Sequence, residues 1–361
     1  MNLVVFINFK LLLKSLFAIW AFSSYNLVMI EIAVSSKLPA ALTVALKKIK
    51  EMSSSGSISR ESSVHILLEP GVYQESVKYN LPNPLVIESM NGKAEDCVLK
   101  ADNCESYNHG LINRGVFVFG PNVTKAELKN FTIENTHART AVEGNSPVDL
   151  SEALVWNNTA GTLLCSGMKI VGRQNTLFVK GNTAFVDSYI AGETDFIYGE
   201  ADTAYFEGCE IYAREDAREE SNSFVVNSQA IAEKPGFIFK NCRFTGDKKN
   251  KSEAFIIRTD GKGGPASSKN WDSVALIDCI VDDWYSPEIV WDDDMNLKIY
   301  PRGNAKNGIR EYNTKVSDKN GVLTKADTGR RNVMSYTMTD DDYFHRYASR
   351  YLILQGTPLF N

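Results

Sequence analysis

The sequence predicts an all-β solenoid, a fold of stacked coils, and three observations carry that reading. Six short strand-like segments share one pattern, their turn residues recur at coil-sized intervals, and no helical stretch separates them. The segments begin at Leu128, Cys165, Phe185, Phe206, Phe239 and Leu276, each with an apolar residue first and a turn-former third. The turn-formers are Asn130, Gly167, Asp187, Gly208, Asn241 and Asp278, spaced by 37, 20, 21, 33 and 37 residues. The shortest intervals define the basic coil and the longer ones carry inserted loops. Strands and turns repeating on this scale bury their apolar faces by stacking on one another. The residues after the turns, Phe131, Met168, Ser188, Cys209, Cys242 and Cys279, are then expected to stack about 4.7–4.9 Å apart as an internal ladder.

The flanking elements follow in order. Leu11 to Ser24 reads as the apolar region of a signal peptide interrupted by Lys14, too short and broken for a membrane span. Residues 1–28 are therefore expected to be a signal peptide or disordered extension, and 29–361 a single folded domain. A signal implies a secreted or periplasmic protein, whereas a domain starting at Met29 without one would be cytoplasmic. Met29 to Val34 reads as a strand. Pro39 then opens an amphipathic helix through Ala41, Leu42, Ala45, Leu46 and Ile49, suited to capping an open solenoid end. A Ser-rich loop runs from Ser53 to Ser63, and Val64 to Glu69 is a strand stopped by Pro70-Gly71. Beyond Trp284 the repeat weakens into loops, with a helix-like stretch from Asp340 to Leu354 as the second cap.

With 361 residues, 43% of them hydrophobic, the chain can bury a sizeable core. A net charge of −5 with scattered Lys and Arg leaves no broad basic face, so nucleic acid is not an expected partner. None of the six cysteines forms the short-spaced pairs of common zinc sites, so no metal is suggested, and most read as buried packing residues. Cys97 and Cys104 could close a local disulfide in an oxidising compartment. His65, His109, His137 and His345 lie outside every motif considered below, and no serine sits in a nucleophile elbow, which argues against a Ser-His-Asp hydrolase.

Three motifs remain: Gly71-Val72-Tyr73-Gln74-Glu75, Gln174-Asn175-Thr176-Leu177 and Asp195-Phe196-Ile197-Tyr198-Gly199. Gln174 and Asp195 lie 21 residues apart, one basic coil, and Glu152 lies 22 before Gln174. The three are expected to stack as a column on one solvent-facing strand. In this order, around a coil repeat, the motifs resemble those of the pectin methylesterase family, from about Ile32 to Tyr312.

That resemblance implies a single-stranded right-handed parallel β-helix of the pectin lyase-like type. It also implies a pectinesterase without cofactor or metal, a monomer acting on the methyl esters of homogalacturonan. Asp195 matches the family's nucleophile, Gln174 an oxyanion donor, and Arg258 the arginine that orients the nucleophile. Asn175 stands where the family has a second aspartate that protonates the leaving methanol and then activates water. An asparagine cannot exchange that proton. The chain could thus be a binder of acidic polysaccharide that has lost turnover, or an esterase of a substrate with a better leaving group. Alternatively Glu152 could take over as acid and base, its pKa raised by the Asp195 charge; this last is the expectation carried forward. Asp260 replaces the family's tryptophan beside the arginine, so Tyr198, Trp271 and Trp284 are the candidate aromatic contacts for sugar. A backbone lyase or hydrolase would call for clustered carboxylates on one coil face, and the dense run Asp292-Asp293-Asp294 lies outside the repeat.

Overall fold

The computed structural model describes residues 19–24, 27–138, 149–215, 222–247, 253–259, 270–292 and 302–360. Successive coils each supply one strand to three sheets of 12, 10 and 8 strands, parallel except at their ends. The first sheet places Leu128, Cys165, Phe185, Phe206, Phe239 and Leu276 in a single row. All six turn-formers are left-handed, with φ between 47° and 64°. Glycine, asparagine and aspartate reach that region at least cost, which is why they mark each corner from the first sheet to the second.

The ladder from Phe131 to Cys279 is buried throughout. Beside it Phe185, Phe206 and Phe239 stack face to face, with ring centroids 4.8 and 4.6 Å apart. All six cysteines are buried free thiols, so Cys97 and Cys104 are not joined. Cys97 instead faces Leu68 O in the core.

The solenoid runs further than its sequence pattern. Val290–Asp292, Ile309–Tyr312 and Lys315–Ser317 extend the three sheets beyond Trp284, and Asn313 supplies a further left-handed corner (φ 52°). Of the Asp292-Asp293-Asp294 run, Asp293 and Asp294 lie outside the described residues. At the other end Leu27–Val34 joins the first sheet and Ile19–Ser24 pairs antiparallel with it, so strand pairing already runs ahead of Met29. Residues 1–18 of the expected signal segment lie outside the described residues. Among the described residues no helix is long and apolar enough to cross a membrane.

The cap helix Ala41–Ser54 buries the five apolar residues anticipated for it. Its N-cap, Ala40, has no side-chain oxygen to offer the first N–H groups. Glu75 supplies one from across the fold: its carboxylate accepts from Leu42 N (3.0 Å) and Thr43 N (2.8 Å), where the helix dipole favours an anion. Tyr73 donates its hydroxyl to Val34 O and Glu69 O, each at 2.8 Å. The first motif therefore anchors the cap. The late helical stretch divides into Asp340–Arg346 and Arg350–Leu354, the former with a Thr339–Asp342 capping box. Tyr347, Ile353 and Leu354 cover Tyr205, Ile238 and Ala275 on the outside of the first sheet.

Candidate active site

The remaining two motifs form adjacent corners leading into the third sheet. Gln174 bridges Thr194, and Leu177 pairs with Ile197, so Asn175, not Gln174, shares a row with Asp195. Leu154 pairs with Leu177, which puts Glu152 in the same row. The expected column is thus offset by one residue, because this coil is one residue shorter than the interval between Asp187 and Gly208. Asn175 and Asp195 are both left-handed, with φ of 63° and 47°. Neighbouring positions in such a row lie about 4.8 Å apart.

Each motif residue has a physical task at this corner. Leu177 and Ile197 are buried in the core, and Thr176, also buried, donates its hydroxyl to Ala191 O at 3.2 Å. Gly199 has φ 130°, and a Cβ there would lie 2.1 Å from Val179 O, so only glycine lets the coils approach. Asp195 and Tyr198 are left toward the outer side.

Arg258 Nη1 donates to Asp195 Oδ2 at 2.9 Å, and its guanidinium carbon lies 5.1 Å from the centre of the Phe224 ring. The nucleophile candidate is therefore held in an orientation set by a cation that is itself braced on an aromatic face. Gln174 Oε1 and Asn175 Oδ1 are buried and accept no hydrogen bond. The amide N–H groups are the donors that these two side chains have to offer.

Glu152 is fully buried and tightly engaged. Arg114 grips it with two hydrogen bonds, Nε to Oε2 at 2.7 Å and Nη2 to Oε1 at 2.6 Å, and Tyr198 donates its hydroxyl to Oε1. Arg114 Nη1 also donates to Glu105 Oε2 at 2.5 Å, which holds that carboxyl down at about 2. Burial alone would lower the pKa of Arg114, but the hydrogen bonds and charge of Glu152 outweigh it and raise it. Burial, then the Glu152 charge, push the Tyr198 phenol well above its usual value. The charge nearest Glu152 is thus a guanidinium, not the Asp195 carboxylate two coils away in the same row. The like-charge argument for a proton-exchanging Glu152 finds no support in this geometry.

Along the outer face of the third sheet, one row runs through Lys78, Val118, Val155, Phe178, Tyr198, Asn227, Arg258 and Trp291. Eight strands at strand spacing make it about 34 Å long. Phe178 and Tyr198 meet edge to face with centroids 5.0 Å apart. At the far end Trp291 is exposed and packs on Phe255 (5.1 Å) and Phe224 (5.9 Å). Trp284 packs elsewhere: it covers Gly246 in the second sheet and lies against Tyr285, so it does not share the row. Trp271 ends the short strand Asn270–Trp271, and its side chain and Asp260 lie outside the described residues. Sequence reasoning missed Arg114, Phe224, Phe255 and Trp291. Only the strand register, hidden by inserted loops, brings them together.

A parallel β-helix with an arginine-held aspartate, flanking amide donors and a long outer row defines a carbohydrate esterase scaffold. The pectinesterase family model matches residues 40–317, and the chain belongs to that family. Among solved structures, pectin methylesterase PemA from Erwinia chrysanthemi aligns with TM-score 0.65 and 16% identity, over 92% of this chain and 98% of that one. Pectin methylesterase from carrot aligns with TM-score 0.60 and 15% identity, over 79% and 82% of the two chains. A pectin methylesterase in complex with a hexasaccharide aligns with TM-score 0.59 and 17% identity, over 82% and 89%. At such identities these likenesses speak for the fold. A comparison with curated proteins finds no match.

Proposed function

We propose that the protein hydrolyses methyl esters of homogalacturonan, with Asp195 as nucleophile. The observation that carries this reading is the Arg258–Asp195 pair beside the amides of Gln174 and Asn175, 2.9 Å between guanidinium and carboxylate. The Asp195 carboxylate attacks the ester carbonyl carbon. Gln174 and Asn175 donate N–H groups to the resulting oxyanion, which is where a preorganised donor lowers the barrier most. Collapse breaks the bond to methoxide, which takes its proton from water, and a second water hydrolyses the acyl-aspartate anhydride to release the galacturonate. Glu152 is a positioning residue: with Arg114 it fixes the Tyr198 hydroxyl in the outer row. Turnover is slow for want of an acid at position 175. A polymer substrate places the protein outside the cell, where six buried thiols offer no exposed sulfur to oxidants.

Methanol release from methylated homogalacturonan tests the reading, with Asp195→Ala expected to abolish it. Asn175 also favours a second reading, a polysaccharide binder without turnover. That reading requires wild type to release no methanol while retaining the polymer. The outer row makes a separate expectation for either. Trp291→Ala should weaken oligogalacturonide binding by about tenfold, roughly 1.4 kcal/mol for an exposed aromatic contact, as read by calorimetry.

A further inference from the structure

Outside the catalytic row, Cys104, His137 and Asp149 converge, each offering one ligand atom within 4.8 Å of the others, and all three are buried. We propose that this cluster is a binding site for a zinc-class divalent cation. The donor set is the first reason: thiolate, imidazole and carboxylate suit zinc, and the two anions together balance a divalent charge in a buried place. The second is the histidine. His137 Nδ1 meets Asp102 Oδ1 at 2.8 Å, the arrangement by which an outer carboxylate orients a ligating imidazole. That leaves Nε2, which is buried, has no hydrogen-bond partner and lies 3.3 Å from Asp149 Oδ2.

Ligand atoms around a tetrahedral zinc are separated by about 3.3–3.8 Å, given bonds of about 2.0–2.3 Å, so the cluster needs to close by about 1 Å. Ser106 Oγ, 3.0 Å from Cys104 Sγ and 3.1 Å from Asp149 Oδ1, marks the side on which the fourth position falls. The bland alternative is a hydrogen-bond network of His137 between two carboxylates. It ties the thiol in only through Ser106 and leaves Nε2 with a 3.3 Å approach to Asp149 Oδ2 that makes no hydrogen bond. Short-spaced cysteine pairs are absent here, so nothing in the sequence pointed to metal; Cys104 comes from the connection after Cys97–Ala101, and His137 and Asp149 from the two ends of the connection between Thr132–Asn135 and Leu154–Trp156. The site adjoins the Arg114–Glu152 pair through the backbone, because Glu105 N donates to Leu150 O at 2.9 Å. A bound ion would tie together the segments that carry Glu105 and Glu152.

The test is metal binding by the full-length protein, reduced and stripped with chelator, titrated with Co²⁺ and then Zn²⁺. A single equivalent of Co²⁺ should give tetrahedral visible absorption with a sulfur-to-metal charge-transfer band, and Zn²⁺ should displace it and raise Tm. Cys104→Ser should lose the charge-transfer band, and Asp149→Asn, which keeps the side-chain shape, should weaken Zn²⁺ binding at least about tenfold. Absence of saturable binding by wild type overturns the proposal, as does a charge-transfer band that persists in Cys104→Ser. Should Cys104→Ser fail to fold, the wild-type spectrum and Asp149→Asn decide it.

Discussion

Asn175→Asp should raise the rate of methanol release by roughly 10²–10⁴-fold, the range that a positioned general acid contributes. The position is one coil from Asp195 in the same row and already left-handed at φ 63°, a conformation aspartate tolerates. The introduced carboxyl would sit beside the Asp195 charge, which raises its pKa and keeps it protonated while Asp195 is ionised. The rate should therefore acquire a descending limb on the alkaline side, where the new acid loses its proton. Stopped methanol assays across pH read both effects. A variant no faster than wild type, with an unchanged pH profile, would show that the proton does not pass through this position.

Arg114→Met should destabilise the fold by about 3–5 kcal/mol, because it strands the fully buried Glu152 carboxylate without its counter-charge. The Tyr198 hydroxyl remains, but one neutral donor does not replace a bidentate guanidinium. Adding Glu152→Gln should recover most of the loss, since no charge is then left buried and the amide can still accept from Tyr198. Chemical unfolding of the single and double variants forms the cycle. A single variant within about 1 kcal/mol of wild type would mean that Glu152 is not held as an anion by Arg114.

The corners of this fold were legible because backbone geometry restricts residue type. A left-handed turn selects asparagine, aspartate or glycine, so Asn130 through Asp278 announced the coils before any strand was placed. The internal ladder followed from the same spacing. The third sheet was not legible in this way. Its strands, such as Leu154–Trp156 and Leu177–Val179, are three residues long and wholly buried, with no alternation to fix register. A one-residue difference in coil length therefore moves the row that holds Asp195 from Gln174 to Asn175. Asp195 and Arg258 stood out through motif, whereas Arg114 and Trp291 belong to the site only through register across inserted loops. The role expected of Glu152 depended on which charge lies nearest, and charge pairing between coils leaves no periodic trace in a sequence.

Ester hydrolysis by Asp195 on methylated homogalacturonan, despite the asparagine beside it, is the step on which the proposed function rests. Methanol released by wild type and by Asp195→Ala, at matched concentrations on the same polymer, decides whether it occurs. Slow, sustained release by wild type and none above background from the variant is the expected result. Equal release by the two proteins, or none from wild type while it still retains the polymer, would contradict it.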